Sequence, residues 1–220
     1  MNLENLEKKI DHTLLKSDAR LKDIIILCEE AVKFNFRSIC INPIWLNEAA
    51  IRINQTNINI CSVVGFPLGT NPTSIKLAEL DYSIKNGANE IDFVMNIGLF
   101  KDKKFNYVEK EIKSIVNDSN GHKVKVIIEA GVLSFKEIAI ATKLVENSGA
   151  DFIKTSTGFS SFGASTKIIS IIKKNLSSKI KIKASGGINN LEQVKKILAA
   201  GVDVIGSSSS VIIMKELARD

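Results

Sequence analysis

Short apolar runs alternate along this chain with longer stretches in which apolar residues recur every three or four positions. The runs are DHTLL (11–15), SICIN (38–42), INICSVVGF (58–66), EIDFVMN (90–96), KVKVIIE (123–129), DFIKTS (151–156), KIKIKAS (179–185) and DVIGS (203–207). Their length and β-branched content predict strands. Amphipathic segments follow them, for instance at 21–35, 73–86, 104–119, 135–148 and 191–200, and their period predicts helices with one apolar face. Eight β-then-α units in 220 residues average under thirty residues each. That spacing predicts an α/β protein, a single (β/α)8 TIM barrel occupying 1–220 as one domain. A doubly wound open sheet is the alternative. It usually carries fewer strands and a G-x-G-x-x-G turn after the first one, which this sequence lacks.

A weak internal repeat points to a shared site. NGANEID (86–92), SGADFIK (148–154) and AGVDVIG (200–206) each place a glycine where a helix should end, then an Asn or Asp, then an apolar strand. The frame delivers Asp92, Lys154 and Gly206, each five residues after its glycine. Side chains alternate faces along a strand, so equal offsets predict that the three positions face the same way. In a barrel the chemistry lies at the C-terminal strand ends. The polar residues expected there are Asp11, Asn42, Asp92, Asn96, Glu129, Lys154, Lys183 and the serines from Ser207. Asn42, just before Pro43, reads equally well as a helix cap.

Two of these residues stand out chemically. Lys154 follows Phe152 and Ile153 directly, and Lys183 lies in a similar setting in KIKASGG. A buried ammonium costs several kcal/mol unless it is paired or gives up its proton. At an unperturbed pKa of ~10.4, about one lysine in two thousand is neutral at pH 7. A neighbouring cation and desolvation raise that fraction, and two lysines on consecutive strands, ~4.8 Å apart, supply such a neighbour. One can attack a carbonyl to form an imine while the other stays protonated. Asp92 is the carboxylate available to move protons. A structural ion pair between Lys154 and Asp92 is the other reading of the same residues. STGFS (156–160), SGGI (185–188) and GSSSS (206–210) follow the last three strands. Together they predict an anion site made of backbone N–H groups and helix N-termini.

Composition removes several classes of function. With 45% hydrophobic and 25% charged residues and no apolar run long enough to span a bilayer, the chain reads as a globular protein without a membrane partner. Its start, MNLENLEKKIDH, is too charged for a secretory signal, so a cytoplasmic location is expected. Cys28, Cys40 and Cys61 lack C-x-x-C spacing and read as reduced thiols. Two histidines argue against a histidine-based metal site, and no cofactor is expected. The net charge of +6 is dispersed on helices among acidic residues, as in KDKKFNYVEKEIKS, which speaks for solvated faces and against nucleic acid.

The motifs IDHTLLK (10–16), SICINP (38–43), VVGFPLGTNP (63–72), NEIDFVMNIG (89–98), FIKTSTGF (152–159), KASGGI (183–188) and IGSSS (205–209) resemble the deoxyribose-phosphate aldolase family almost end to end. The resemblance implies a metal-independent class I aldolase on a (β/α)8 barrel. It would reversibly cleave 2-deoxy-D-ribose 5-phosphate to D-glyceraldehyde 3-phosphate and acetaldehyde. It makes Lys154 the Schiff-base lysine, Lys183 its cationic neighbour and proton relay, and Asp92 the acid/base partner. Asp11 and Cys40 fall on positions lining the substrate pocket, and Gly158, Gly187, Ser208 and Ser209 on positions near the phosphate. A homodimer or homotetramer is compatible with it. The competing readings are another imine-forming sugar-phosphate aldolase and an inactive phosphate-ligand-binding barrel. Lys181 is not explained by the resemblance. Strand alternation turns it inward, one layer below Lys183, and predicts a buried pair with Glu90, two residues before Asp92.

Overall fold

Each apolar run forms one parallel strand in the computed structural model, which describes residues 3–177 and 179–220. Met1 and Asn2, the first residues of the charged N-terminal segment, and Ser178 lie outside the described residues. The strands are β1 Ile10–Leu14, β2 Ser38–Ile41, β3 Asn59–Val64, β4 Glu90–Val94, β5 Lys123–Ile127, β6 Phe152–Lys154, β7 Lys181–Ser185 and β8 Val204–Ser207. They close in sequence order into a barrel, β8 pairing with β1. The helices between and after them are α1 Leu21–Phe34, α2 Leu46–Arg52, α3 Thr73–Lys85, α4 Ile97–Lys101, α5 Phe105–Asp118, α6 Phe135–Asn147, α7 Thr166–Asn175, α8 Leu191–Ala199 and α9 Ser210–Leu217. The chain is a single (β/α)8 TIM barrel.

Local chemistry explains several boundaries. Ser134 and Glu137 form a reciprocal capping box at the start of α6, which satisfies two otherwise free backbone donors. Asn190 and Ser165 accept from Gln193 N and Ile168 N to open α8 and α7. Asn35 ends α1 in the left-handed region, φ 55°, where asparagine is tolerated better than most residues.

The hydrophobic core is a ring between barrel and helices. Outward-facing strand residues, among them Ile39, Ile91, Phe93, Val126, Ile153, Ile182 and Ile205, pack with helix residues such as Ile24, Leu27, Ile112, Ile138, Ile169 and Val194. The barrel interior differs. TIM barrels usually fill it with layers of branched aliphatic side chains. Here Leu15, Cys40, Cys61 and Val63 form a small apolar cluster inside. Beside it the interior buries the charged side chains of Asp11, Glu90, Asp92, Lys125, Lys154 and Lys183.

Candidate active site

Asp92, Lys154 and Lys183 meet inside the barrel because three strands place them at one height. Lys154 and Lys183 are direct partners across β6 and β7, and Asp92 is partnered by Lys125 across β4 and β5. Lys154 Nζ donates to Asp92 Oδ2 at 2.6 Å, and Lys183 Nζ donates to the same oxygen at 2.7 Å. Lys183 Nζ also lies 2.6 Å from Asp11 Oδ2, an ion pair bent outside hydrogen-bond geometry. Gly206 provides the space: a Cβ there would stand 3.1 Å from Lys183 Cε and 3.2 Å from Ser185 Cβ. The three positions marked by the repeat do face the same way.

A second charged layer lies beneath, and it corrects one expectation. Lys181 does not pair with Glu90. It sits at the first residue of β7, exposed, with its ammonium 5.9 Å from the Phe152 ring. The face was read correctly, but the depth was not, because the barrel opens to solvent at the N-terminal end of β7. Glu90 is instead held by Arg37, through Nη1 at 2.9 Å and Nη2 at 2.5 Å, and by Lys125 Nζ at 2.6 Å. Arg37 Nη1 also donates to Asp11 Oδ1 at 2.6 Å, an oxygen that Ser38 Oγ shares at 2.6 Å. Lys125, fully buried, reaches up to Asp92 Oδ1 at 3.1 Å and to Cys61 Sγ at 3.3 Å. Lys125 and Arg37 in the interior, and Lys16 at the cavity wall, are residues that sequence reasoning missed. The signal for Lys125 was present in KVKVIIE, whose alternation turns position 125 inward.

The electrostatics follow from burial working against close partners. Burial alone would raise the Asp92 carboxyl, but Lys125, Lys154 and Lys183 outweigh it and hold it well below the usual carboxylate range. Asp11 is likewise lowered against burial, mainly by Lys183 and Lys125. Burial disfavours the Lys183 ammonium, yet Asp11 and Asp92 raise it well above the ordinary lysine value. Lys183 is therefore a fixed cation.

Cys40 Sγ lies 3.7 Å from Asp92 Oδ2 and Cys61 Sγ 3.1 Å from Asp92 Oδ1. The two thiols and the carboxylate could in principle offer three ligand atoms. They do not suit a divalent cation. Both Asp92 oxygens already bind ammonium groups, and burial pushes the Cys61 thiol well up, away from the thiolate that a metal needs.

Above this cluster a cavity of about 330 Å³ opens at the C-terminal end of the barrel. Lys154 forms part of its wall, while Asp92, Lys183, Asp11 and Cys40 are fully buried underneath and outside its lining. Gly158, Gly187 and Ser208 line it, together with Lys16, Asn189 and Thr157. Ser209 stands just beyond, as the residue before α9, its N–H donating to Ser207 Oγ at 2.9 Å. Two loops are clamped at the rim. Glu129, with backbone φ 47°, accepts from Thr157 Oγ1 at 2.5 Å and Ser160 Oγ at 2.9 Å. The loop after β6 also presses on the loop after β7, where a Cβ at Gly163 would meet Gly186 O at 2.0 Å. Asn42 and Asn96 do local work: Asn42 Nδ2 donates to Leu15 O, and Asn96 Oδ1 caps α4 by accepting from Leu99 N.

Fold and cluster together define a (β/α)8 barrel with buried lysines and a carboxylate beneath an open cavity at its C-terminal end. The family model described as DeoC/LacD family aldolase matches residues 6–208, and the chain belongs to that family. It is an aldolase, a carbon–carbon lyase. A deoxyribose-phosphate aldolase of Mesomycoplasma hyopneumoniae is 51% identical over 213 residues, covering 97% of this chain and 96% of that protein. One of Staphylococcus haemolyticus is 44% identical over 216 residues, 98% of each chain. Among solved structures, the deoxyribose phosphate aldolase of Aeropyrum pernix, described as a unique tetramer, superposes with a TM-score of 0.92. It is 31% identical and is matched over 99% of this chain and 92% of its own.

Proposed function

We propose that the protein cleaves 2-deoxy-D-ribose 5-phosphate reversibly to D-glyceraldehyde 3-phosphate and acetaldehyde, with Lys154 as the imine-forming residue. The observation that carries the reading is that one carboxylate oxygen, Asp92 Oδ2, touches both lysines, while of the three only Lys154 reaches the cavity. In this mechanism the Lys154 amine adds to the C1 aldehyde of the open-chain sugar. The carbinolamine loses water to give an iminium ion. The C3 hydroxyl then loses its proton, the C2–C3 bond breaks, and its electron pair passes into the iminium to form an enamine. Glyceraldehyde 3-phosphate departs; protonation at C2 and addition of water release acetaldehyde and free Lys154. Asp92 Oδ2 relays protons at the cavity floor. Lys183 remains charged, favouring the free amine next to it and stabilising negative charge on oxygen.

Borohydride reduction in the presence of acetaldehyde tests this directly. A two-carbon group is expected on Lys154 by peptide mass mapping, with loss of activity. Modification centred on Lys183, or no modification, would rule the assignment out.

The same reading puts the phosphate at the glycine and serine loops of the cavity, with Gly158, Gly187, Ser208 and Ser209 supplying backbone and hydroxyl donors. Lys16 is the other lysine in the cavity lining and supplies a cation. Lys16→Gln is expected to raise KM for the phosphorylated sugar about tenfold, the scale of one charge-assisted contact. Cleavage of unphosphorylated 2-deoxyribose should change less than twofold. Equal losses on both substrates would remove Lys16 from the phosphate site. A homo-oligomeric assembly and a cytoplasmic setting complete the proposal. The cysteines are free and buried, and no helix among the described residues is long and apolar enough to cross a membrane.

A further inference from the structure

The charges inside the barrel do not balance. Among the described residues, one connected chain of ion pairs holds four interior basic side chains, Arg37, Lys125, Lys154 and Lys183, against three carboxylates, Asp11, Glu90 and Asp92, with the half-exposed Lys123 joining only from the solvent side of Glu90. The interior reaches neutrality when one basic group gives up its proton. Arg37 does not deprotonate in proteins. Lys183 is enclosed between two carboxylates, and so is Lys125. Lys154 touches Asp92 alone among these carboxylates and faces the cavity. We propose that Lys125 is a positioning residue for the reaction, acting through Asp92 as the fourth interior cation whose charge favours the free amine at Lys154. This rests on the imine reading above and adds a source for the amine outside the motifs that carry the two reactive lysines.

The geometry allows a large effect. Lys125 Nζ binds Asp92 Oδ1 at 3.1 Å and Lys154 Nζ binds Asp92 Oδ2 at 2.6 Å. With about 2.2 Å between carboxylate oxygens, the two nitrogens stand within about 8 Å, where a unit charge in a protein interior moves a proton equilibrium by roughly 1.5 pH units. The other ionisable groups around Lys154 are Asp11 on β1, Cys40 on β2, Cys61 on β3, Glu90 and Asp92 on β4 and Lys183 on β7, with Arg37 below. Glu129 and Lys16 stand at the rim. Lys123 approaches Glu90 at 3.8 Å from the solvent side and is half exposed.

The sign is fixed by the count. Removing the Lys125 charge leaves three cations for three carboxylates, so Lys154 keeps its proton to higher pH. Removing the Glu90 charge instead leaves four cations for two carboxylates, so Lys154 loses its proton at lower pH. Removing both restores a surplus of one.

The experiment is the pH dependence of borohydride trapping with acetaldehyde, mapped to Lys154, in the unaltered protein and three variants. Lys125→Met is expected to shift the acid limb up by roughly one pH unit or more, slowing trapping about tenfold at pH 7 with recovery at high pH. Glu90→Gln should shift it down, and Lys125→Met with Glu90→Gln should return it to the original position. A merely structural Lys125 would lower trapping equally at all pH values. If Lys125→Met does not fold, Glu90→Gln and the double variant decide the matter, because an unmoved limb in the first or a displaced limb in the second overturns the proposal. No trapping at Lys154 in the unaltered protein overturns the imine reading, and the role of Lys125 with it.

Discussion

Lys154→Arg is expected to abolish aldol cleavage while the barrel stays folded. The guanidinium can still reach the Asp92 carboxylate, which now holds Lys154 at 2.6 Å, so the interior keeps its charge count. It cannot lose a proton to become a nucleophile. Turnover should fall by on the order of 10⁴-fold or more, the scale seen when a covalent nucleophile is removed. Lys154→Ala should lose as much activity for a different reason, since it removes the nitrogen altogether. Progress curves at high enzyme concentration, with thermal unfolding as the folding control, measure both. An arginine variant that keeps more than about one hundredth of kcat would mean that the residue acts only through its charge.

Asp92→Asn should damage both activity and stability, and a second substitution separates the two. Asp92 binds Lys125 through one oxygen and Lys154 and Lys183 through the other. Neutralising it leaves those cations with Asp11 and Glu90 alone. Removing one partner from a buried ionic cluster costs about 3–5 kcal/mol, whereas removing both partners is often close to neutral. Asp92→Asn combined with Lys183→Met should therefore recover most of the lost stability. It should recover none of the lost turnover, expected to be roughly 10²–10⁴-fold for a missing acid/base group. Chemical denaturation and steady-state kinetics on the single and double variants give the answer. Parallel recovery of stability and kcat would show that Asp92 serves folding only.

The sequence carried the barrel in its alternation of runs, and the strand and helix limits fell within a few residues of those expected. It also carried the pairing of Lys154 with Lys183. Both lie near the ends of consecutive strands, and parallel neighbours at equal height are in register. What it did not carry was depth. Alternation tells which face a side chain takes, and by that rule Lys125 and Lys181 are equivalent. Their surroundings separate them: Lys125 is the third residue of β5, enclosed by Glu90, Asp92 and Cys61, whereas Lys181 opens β7 at the solvent edge. The barrel's tilt and stagger set that difference, and neither is visible in a single strand. Arg37 was missed for a related reason. It precedes its strand in an ordinary polar turn, and only barrel closure brings it beneath Asp11 and Glu90.

An interior held by charge constrains how such a scaffold can be altered. An aliphatic barrel core tolerates piecemeal exchange of one branched residue for another of similar volume. Here a lone substitution at Arg37, Glu90, Asp92 or Lys125 removes a partner from a buried ionic cluster, so single changes carry a stability cost that a paired change can offset. The rim is under no such rule. Asn189 borders the cavity outside the ionic cluster and outside the residues assigned to the phosphate, and its replacement can reshape the entrance while leaving the machinery beneath intact. Inheritance and engineering alike are thereby steered to the mouth of the barrel, where variety in accepted aldehydes can accumulate over an unchanging foundation.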